Sequence, residues 1–298
     1  MLGRVVFLLR EYKRTDWRKR LEALAEDLEA HGVVCVFAEG MPQEVCSAAG
    51  QEETGYREKE YDADRESILY VADSAAVCKA LSGEGCYVLP CRHERNQAEV
   101  FESGMYFYVI EQPEEMDYES LDMAYRRLAG LPWEILQTRR CMIRETTVED
   151  ADAFYQIYEE PDITLYMEGL FADRDEEIAY MEDYIKKVYY FYGYGMWTVV
   201  EKESGRVIGR AGVSWREGFD LPELGFMIGV PWQRQGYAYE VCGAILAYAR
   251  KELEMTRVQA LVLQGNTKSA RLCEKLGFAK QREINLEGND YMVFEMDL

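Results

Sequence analysis

"PWQRQGYAYE", residues 231–240, follows the apolar run "LPELGFMIG" (221–229) and sets a single glycine, Gly236, among charged and aromatic neighbours. Pro231 has no N–H to give a sheet ladder, so the strand ends there. Beyond the glycine, Val241, Ile245 and Tyr248 recur along one face, with Ala244 and Ala249 beside them. That spacing predicts a helix over 237–253. N–H groups at a helix start lack intrahelical acceptors and carry partial positive charge. A glycine there lets an anion approach the backbone without meeting a Cβ. Residues 233–238 thus have the shape of a pyrophosphate cradle, with Arg234 as a nearby charge. A helix entry that merely needs a flexible residue would account for the same letters.

Working outward, the chain between 196 and 229 reads as three strands: "MWTVVEK" (196–202), "RVIGRAGVSW" (206–215) and "LPELGFMIG", with the first hairpin turn at "ESG" (203–205). After the helix come a strand at 257–264, a helix at 267–276 and strands near 279–286 and 290–297. Upstream, "CMIRETTVEDADAFYQIYEE" reads as a strand and then a helix starting at Glu149 and Asp150, and "RDEEIAYMEDYIKKVYYFYG" (174–193) as a second helix.

The first half has a different rhythm. "GRVVFLL" (3–9), "VVCVFA" (33–38), "SILYVA" (67–72), "CYVLP" (86–90) and "MYFYVIE" (105–111) read as buried strands. Between them lie helical patterns at 15–32, 73–83 and 118–130. Trp17, Leu21, Leu24 and Leu28 form one stripe, with Thr15 or Asp16 as N-cap and Gly32 as the stop. Alternating strands and helices predict a parallel sheet covered on both faces. Residues 47–66 are polar and read as a loop. We place the boundary near residue 135, giving a Rossmann-like α/β domain over 1–134 and an α+β domain with a mixed sheet over 135–298. A chain of 298 residues fits two domains.

Composition narrows the partners. The net charge is −21, and the acid excess is shared by both halves, which argues against a nucleic-acid partner. An acidic field favours cationic partners such as amines or basic peptides, and it also simply keeps a protein soluble. No apolar run is long enough to span a membrane, and "MLGRVVFLLREYKR" has the wrong flanks for a secretory signal. Cys35, Cys46, Cys78, Cys86, Cys91, Cys141, Cys242 and Cys273 form no C-x-x-C pair, and His31 and His93 are the only histidines. No metal is expected. Buried reduced thiols suggest a cytoplasmic protein.

A second segment decides between cradle and plain turn. "QGNTKSARLCEKLGF" (264–278) starts at a strand end and runs through a short helix to Gly277 and Phe278. Taken with Gln233, Gly236 and Ala238, it resembles the GNAT family of acyl-CoA-dependent N-acetyltransferases. The family's phosphate signature is Gln/Arg-x-x-Gly-x-Gly/Ala, and its later pattern, Asn-x-x-Ser/Ala leading to Gly-Phe, is met by Asn266, Ser269, Gly277 and Phe278. The two motifs stand one helix and one strand apart. "GYAYE" and "LQTRRCMIRE" (136–145) look like the branch that includes ribosomal-protein N-terminal acetyltransferases. The resemblance covers about residues 135–298.

The resemblance implies a sheet splayed between the strands at 221–229 and 257–264, with acetyl-CoA as co-substrate. Its pantetheine arm would pair with backbone at Met227, Ile228 and Val230. Its pyrophosphate would sit on Gln233 and the amides of Arg234, Gln235, Gly236, Tyr237 and Ala238. Asn266 and Ser269 would lie near the pantetheine. A neutral amine attacks the thioester, so a carboxylate must first take its proton. Glu223 is the candidate base, though a surface carboxylate on that strand reads the same way. Many family members carry a tyrosine as general acid where this chain has Cys273, so Cys273 is either the acid or helix packing. The resemblance also places acceptor recognition in "EEPDITLYMEGLFADRDEE" (159–177), with Tyr166, Glu168, Asp173 and Asp175, and on Ser214 and Trp215. The acidic run serves equally as a solvated helix start. The tyrosines of "VYYFYGYG" (188–195) read as packing.

In the first domain, Asp73-Ser74 and "CRHERN" (91–96) stand at carboxyl ends of strands, where open parallel sheets bind ligands. Segment 67–136 is weakly similar to a degenerate haloacid-dehalogenase-like core. Such an enzyme needs Asp-x-Asp after its first strand, where Leu9-Arg10-Glu11 stands, and Asp62-Ala63-Asp64 precedes a strand instead. We expect a non-catalytic domain for sensing, substrate presentation or homodimer formation. For the whole chain we expect transfer of an acetyl group to a primary amine of a small molecule or peptide. A GNAT fold that only senses acyl-CoA is the alternative.

Overall fold

The computed structural model describes residues 1–10, 15–38, 65–94, 96–102 and 104–298. The polar stretch up to residue 64, Asp62-Ala63-Asp64, Cys46, Glu11 and Arg95 lie outside the described residues, as do the side chains of Thr15 and Asp16. The chain divides into two compact units, Met1–Leu131 and Pro132–Leu298.

The first unit is a parallel sheet of β1 (Arg4–Leu8), β2 (Val34–Phe37), β3 (Ile68–Ala72), β4 (Tyr87–Arg92) and β5 (Ile110–Glu111), in the order β2-β1-β3-β4-β5. Alternation along β1 explains why both faces are covered. Val5 and Phe7 pack against Trp17, Leu21, Leu24 and Leu28 of α1 (Thr15–Ala30). Val6 and Leu8 pack with Val77, Cys78 and Leu81 of α2 (Ala75–Gly83). A period of two sends neighbours to opposite faces, so each face needs its own helix layer. α3 (Tyr118–Leu128) adds Leu121 and Tyr125 to the first layer. The expected strand at 105–111 shrinks to Ile110–Glu111, which pair with Cys91 and Arg92. Phe107 and Val109 are exposed. An apolar run without alternation does not specify pairing.

The second unit begins with β6 (Glu134–Gln137), a strand the apolar pattern did not reveal, and β7 (Cys141–Arg144). α4 (Ala151–Tyr158), a short α5 (Pro161–Thr164) and α6 (Arg174–Tyr184) follow. The expected single helix over 174–193 is interrupted: Ile185–Tyr189 forms a π turn before a last short turn, Tyr190–Tyr192. The wider turn brings Tyr189 into the core, where its hydroxyl donates to the Met196 carbonyl. β8 (Met196–Glu201), β9 (Val207–Ser214), β10 (Glu223–Ile228), α7 (Tyr237–Lys251), β11 (Arg257–Leu263), α8 (Thr267–Leu276), β12 (Ala279–Leu286) and β13 (Asn289–Asp297) complete it. The sheet runs β12-β13-β11-β10-β9-β8-β7-β6 and is antiparallel except between β10 and β11. Val241, Ile245 and Ala249 of α7 pack on Trp197, Val199, Ala211, Val213 and Leu224.

Candidate active site

β10 is paired along its whole length with β9, from Glu223 opposite Ser214 to Ile228 opposite Gly209. With β11 it pairs only at Glu223 opposite Gln259. Buried Gln259 pins this closed end: its backbone N–H donates to the Pro222 carbonyl (2.8 Å) and its Nε2 to the Leu221 carbonyl (3.0 Å). Beyond that point the two strands diverge and form a wedge. Parallel strands that part in mid-sheet leave backbone groups on their inner edges free for an extended ligand.

The turn after β10 is held by its own side chains. Gln233 Nε2 donates to the Ile228 carbonyl (3.0 Å), and Gln235 Nε2 donates to the Pro231 carbonyl (2.7 Å). Arg234 and Gly236 both take left-handed backbone, with φ of 60° and 84°. The result is a run of backbone N–H groups, residues 234–239, with no acceptor among the described residues. Successive amides in such a turn, leading into a helix, form an anion-binding concavity. Gly236 is required by its φ more than by crowding, since a Cβ there would meet only Arg140 Nη2 at 3.6 Å. Arg234 is exposed and makes no ion pair among the described residues.

Arg140, which the sequence reading passed over, braces the cradle. Its Nη1 donates to the Gln235 carbonyl (3.0 Å), its Nε to Glu240 (2.7 Å), and its guanidinium lies 3.9 Å from the centre of the Tyr237 ring. Tyr237 is buried beneath it and donates to Glu201. Tyr239 instead carries Lys275 over its ring at 4.3 Å. Ala238 follows Tyr237 in the first turn of α7. Met227 and Ile228 are buried, and Met227 packs with Ile157 and Ile163.

Residues 140–279 match the family model of the acetyltransferase (GNAT) domain. The second unit is a GNAT acetyltransferase domain. Curated relatives agree. YkkB of Bacillus subtilis, an uncharacterized protein, is 27% identical over 158 residues, 51% of this chain and 91% of its own. The p20 protein of Bacillus licheniformis, named an uncharacterized N-acetyltransferase, is 28% identical over 153 residues, 50% of this chain and 84% of its own. Among solved structures, a GNAT-family acetyltransferase from Bacillus anthracis is similar at 21% identity and a TM-score of 0.47, over 54% of this chain and 97% of that one. The ribosomal-protein-S5-alanine acetyltransferase of Vibrio fischeri is similar at 15% identity and a TM-score of 0.48, over 54% and 95%. GNAT acetyltransferases use acetyl-CoA, and the unpaired amides of residues 234–239 with the open wedge beside them suit such a co-substrate. Among the described residues, no group of His, Cys, Asp and Glu could hold a metal ion, and no helix is long and apolar enough to cross a membrane.

The other residues of the GNAT pattern take distinct places. Asn266 is the N-cap of α8, its side chain accepting from the Ser269 N–H (3.1 Å). That fixes the pair Asn266 and Ser269 at the carboxyl end of β11 through a helix cap. Cys273 corrects an expectation. It is fully buried in the core of the GNAT unit, and burial pushes its thiol up to about 12. A group that protonates a leaving thiolate must reach the cleft, and a side chain with no accessible surface does not. Cys273 is helix packing.

Glu223 sits where β10 and β11 part. Its side chain is 16% exposed, and burial raises its carboxyl above the ordinary value of 4.5, with Arg216 (3.4 Å) partly opposing the rise. A cavity of about 370 Å³ gathers Tyr166 and Glu168 with Arg216, Phe219, Leu263 and Tyr291. Tyr166 lies over Gly265, next to Asn266: a Cβ at Gly265 would meet its ring at 3.7 Å. Ser214 and Trp215 do not line this cavity. Ser214 stands opposite Glu223 in the sheet, while Trp215 is exposed and donates to the Tyr194 hydroxyl. Asp173 caps α6 by accepting from the Asp175 N–H (2.8 Å), so this part of the acidic run starts a helix. The cavity joins loops far apart in sequence, and no local pattern could have announced Arg216, Phe219 or Tyr291.

Proposed function

We propose that the protein is an acetyl-CoA-dependent N-acetyltransferase acting on a primary amine of a small molecule or peptide, with Glu223 as its base. The observation that carries this reading is the position of Glu223: a mostly buried carboxylate with a raised pKa at the point where β10 and β11 separate, linked through Arg216 to the cavity. Bound acetyl-CoA supplies a thioester carbonyl as electrophile. The chain's own residues do the rest. The amides of residues 234–239, with exposed Arg234, hold the pyrophosphate, and the edge of β10 that parts from β11, around Met227, Ile228 and the following Val230, aligns the pantetheine arm. Glu223 takes a proton from the ammonium of the acceptor. The freed lone pair on nitrogen forms the new C–N bond, the C–S bond breaks as the thiolate leaves, and the second proton of the acylated nitrogen passes to that thiolate, giving the amide and CoA thiol. A partly desolvated carboxylate with raised pKa is a better proton acceptor than a surface one. Asn266 acts as a positioning residue that orders the end of β11. We read the first unit as non-catalytic.

The test is release of CoA thiol by the full-length protein with a panel of amines and peptides. We expect turnover above thioester hydrolysis with at least one amine. We also expect Glu223→Gln to lower kcat/KM about 10²- to 10⁴-fold, the range of general-base catalysis, while acetyl-CoA still binds. Tight acetyl-CoA binding with no amine turned over would replace this reading with a sensing module.

A further inference from the structure

The peptide unit between Gln235 and Gly236 lies in the middle of the cradle, and nothing within it fixes which way it faces. Gly236 has a φ of 84°, and a glycine takes positive and negative φ about equally well. A planar trans peptide points its C=O and its N–H in opposite directions. In one orientation the unit offers the Gly236 N–H to an anion. Flipped, it offers the Gln235 carbonyl, which repels one. The choice is made from 95 residues upstream, in the β6–β7 turn. There Arg140 Nη1 donates to the Gln235 carbonyl (3.0 Å), and so turns the Gly236 N–H away from the guanidinium. Arg140 is itself held from several sides. Its backbone N–H donates to Glu240 (2.8 Å), its carbonyl accepts from the Lys202 N–H (2.8 Å), and its Nε donates to Glu240 (2.7 Å). The ring of Tyr237, whose hydroxyl donates to Glu201, lies 3.9 Å from the guanidinium. A planar fork pinned at both ends loses little freedom in holding one more acceptor.

We infer that Arg140 is a positioning residue, a latch that holds the Gln235–Gly236 peptide in its anion-binding orientation before the co-substrate arrives. This rests on the acetyl-CoA reading above and deepens it. A preorganised cradle spends no binding energy on turning that peptide. Arg140 also neutralises Glu240, a carboxylate in the first turn of α7, which left unpaired would repel a pyrophosphate. The two effects of one side chain separate by substitution. Glu240→Gln removes the ion pair together with the repelling charge and leaves the bond from Arg140 to the Gln235 carbonyl. Arg140→Met removes that bond as well and keeps an apolar stem against Tyr237.

The experiment titrates CoA calorimetrically into the full-length protein, Arg140→Met, Glu240→Gln and the double variant. Arg140→Met should weaken binding about tenfold, the scale of one charge-assisted hydrogen bond. Glu240→Gln should change it by less than about threefold, and the double variant should stay as weak as Arg140→Met. A spectroscopic readout needs no ligand. In glycine-labelled protein the Gly236 amide cross-peak, assigned by its loss in Gly236→Ala, should move further in Arg140→Met than in Glu240→Gln. Arg140→Lys has one ammonium for two acceptors, so it should lose affinity too, and it carries the test if Arg140→Met does not fold. Recovery of CoA affinity in the double variant assigns the effect to the Glu240 charge and overturns the latch. So do full affinity in folded Arg140→Met or Arg140→Lys, and equal losses in Arg140→Met and Glu240→Gln, the mark of an ion pair that only stabilises α7. Wild-type protein that binds no CoA overturns the co-substrate reading and the latch with it.

Discussion

In the first unit, the residues that follow β1, β3 and β4 bond to one another. Asp73, fully buried after β3, accepts from the Arg10 backbone (2.9 Å), the Arg10 Nε (3.2 Å) and His93 Nε2 (3.0 Å). Buried Asn96 donates to the carbonyls of Asp73 (2.9 Å) and Cys91 (2.8 Å) and accepts from the His93 N–H (2.7 Å). Glu99 accepts from the first amide of α2 and pairs with Arg10. In the second unit, the residues after β10 leave the N–H groups of 234–239 without acceptors among the described residues. Strand order β2-β1-β3-β4-β5 puts the usual ligand crevice between β1 and β3, yet there Arg10 and Asp73 satisfy each other. A strand end whose polar groups are internally satisfied is a structural joint. One whose groups face outward unpaired is built for a ligand.

The largest expected effect tests the joint. Asp73→Ala removes the hub of the first unit's network and should cost about 3 kcal/mol, near the low end for a buried pair because Arg10 is half solvated. The check is the denaturant midpoint of the first unfolding transition of the full chain, with acetyl-transfer rates unchanged in native buffer. A loss of activity without a loss of stability would make the joint a functional site and erase the contrast.

A smaller effect tests the cradle. Gly236→Asp places a carboxylate on left-handed backbone at the unpaired amides, and acetyl-CoA affinity should fall about 10- to 100-fold, the scale of one or two lost charge-assisted hydrogen bonds. Calorimetric titration of the folded variant measures it, and unchanged affinity would show that these amides do not hold the pyrophosphate.

The smallest is a shift in pH dependence. The base works only when ionised, so kcat/KM should rise with pH through a limb lying above the ordinary carboxylate value of 4.5, and Glu223→Gln should remove that limb. The sign for stability is opposite. A carboxyl whose folded pKa is raised favours the protonated folded state, so its contribution is present at low pH and is lost as pH rises through the folded value. A limb at the ordinary value would mean that Glu223 is solvated during turnover.

Much of this was legible in the sequence. The alternation of strand and helix patterns and the stripe of Trp17, Leu21, Leu24 and Leu28 made the layered first unit legible, and the helix at 267–276 fell where it was expected. The π turn at Ile185–Tyr189 escaped because the core contact of Tyr189, not side-chain spacing, sets it. The likeness of Cys273 to a site residue failed for a related reason: position along α8 does not say which face meets the core.

The sequence alone determined the local devices: Gly236 ahead of α7, the Asn266 cap of α8, and the strand that leads into the cradle. Each depends on residues within a turn or two of one another, where backbone preference decides. Only the tertiary structure decided what surrounds them. Strand pairing set Glu223 against Gln259 and so created the wedge, carried Arg140 to the Gln235 carbonyl, and brought Glu287 into one cavity with Tyr166. Sheet register and burial fix such meetings across long stretches of chain, and they give Glu223 its desolvated place beside Arg216.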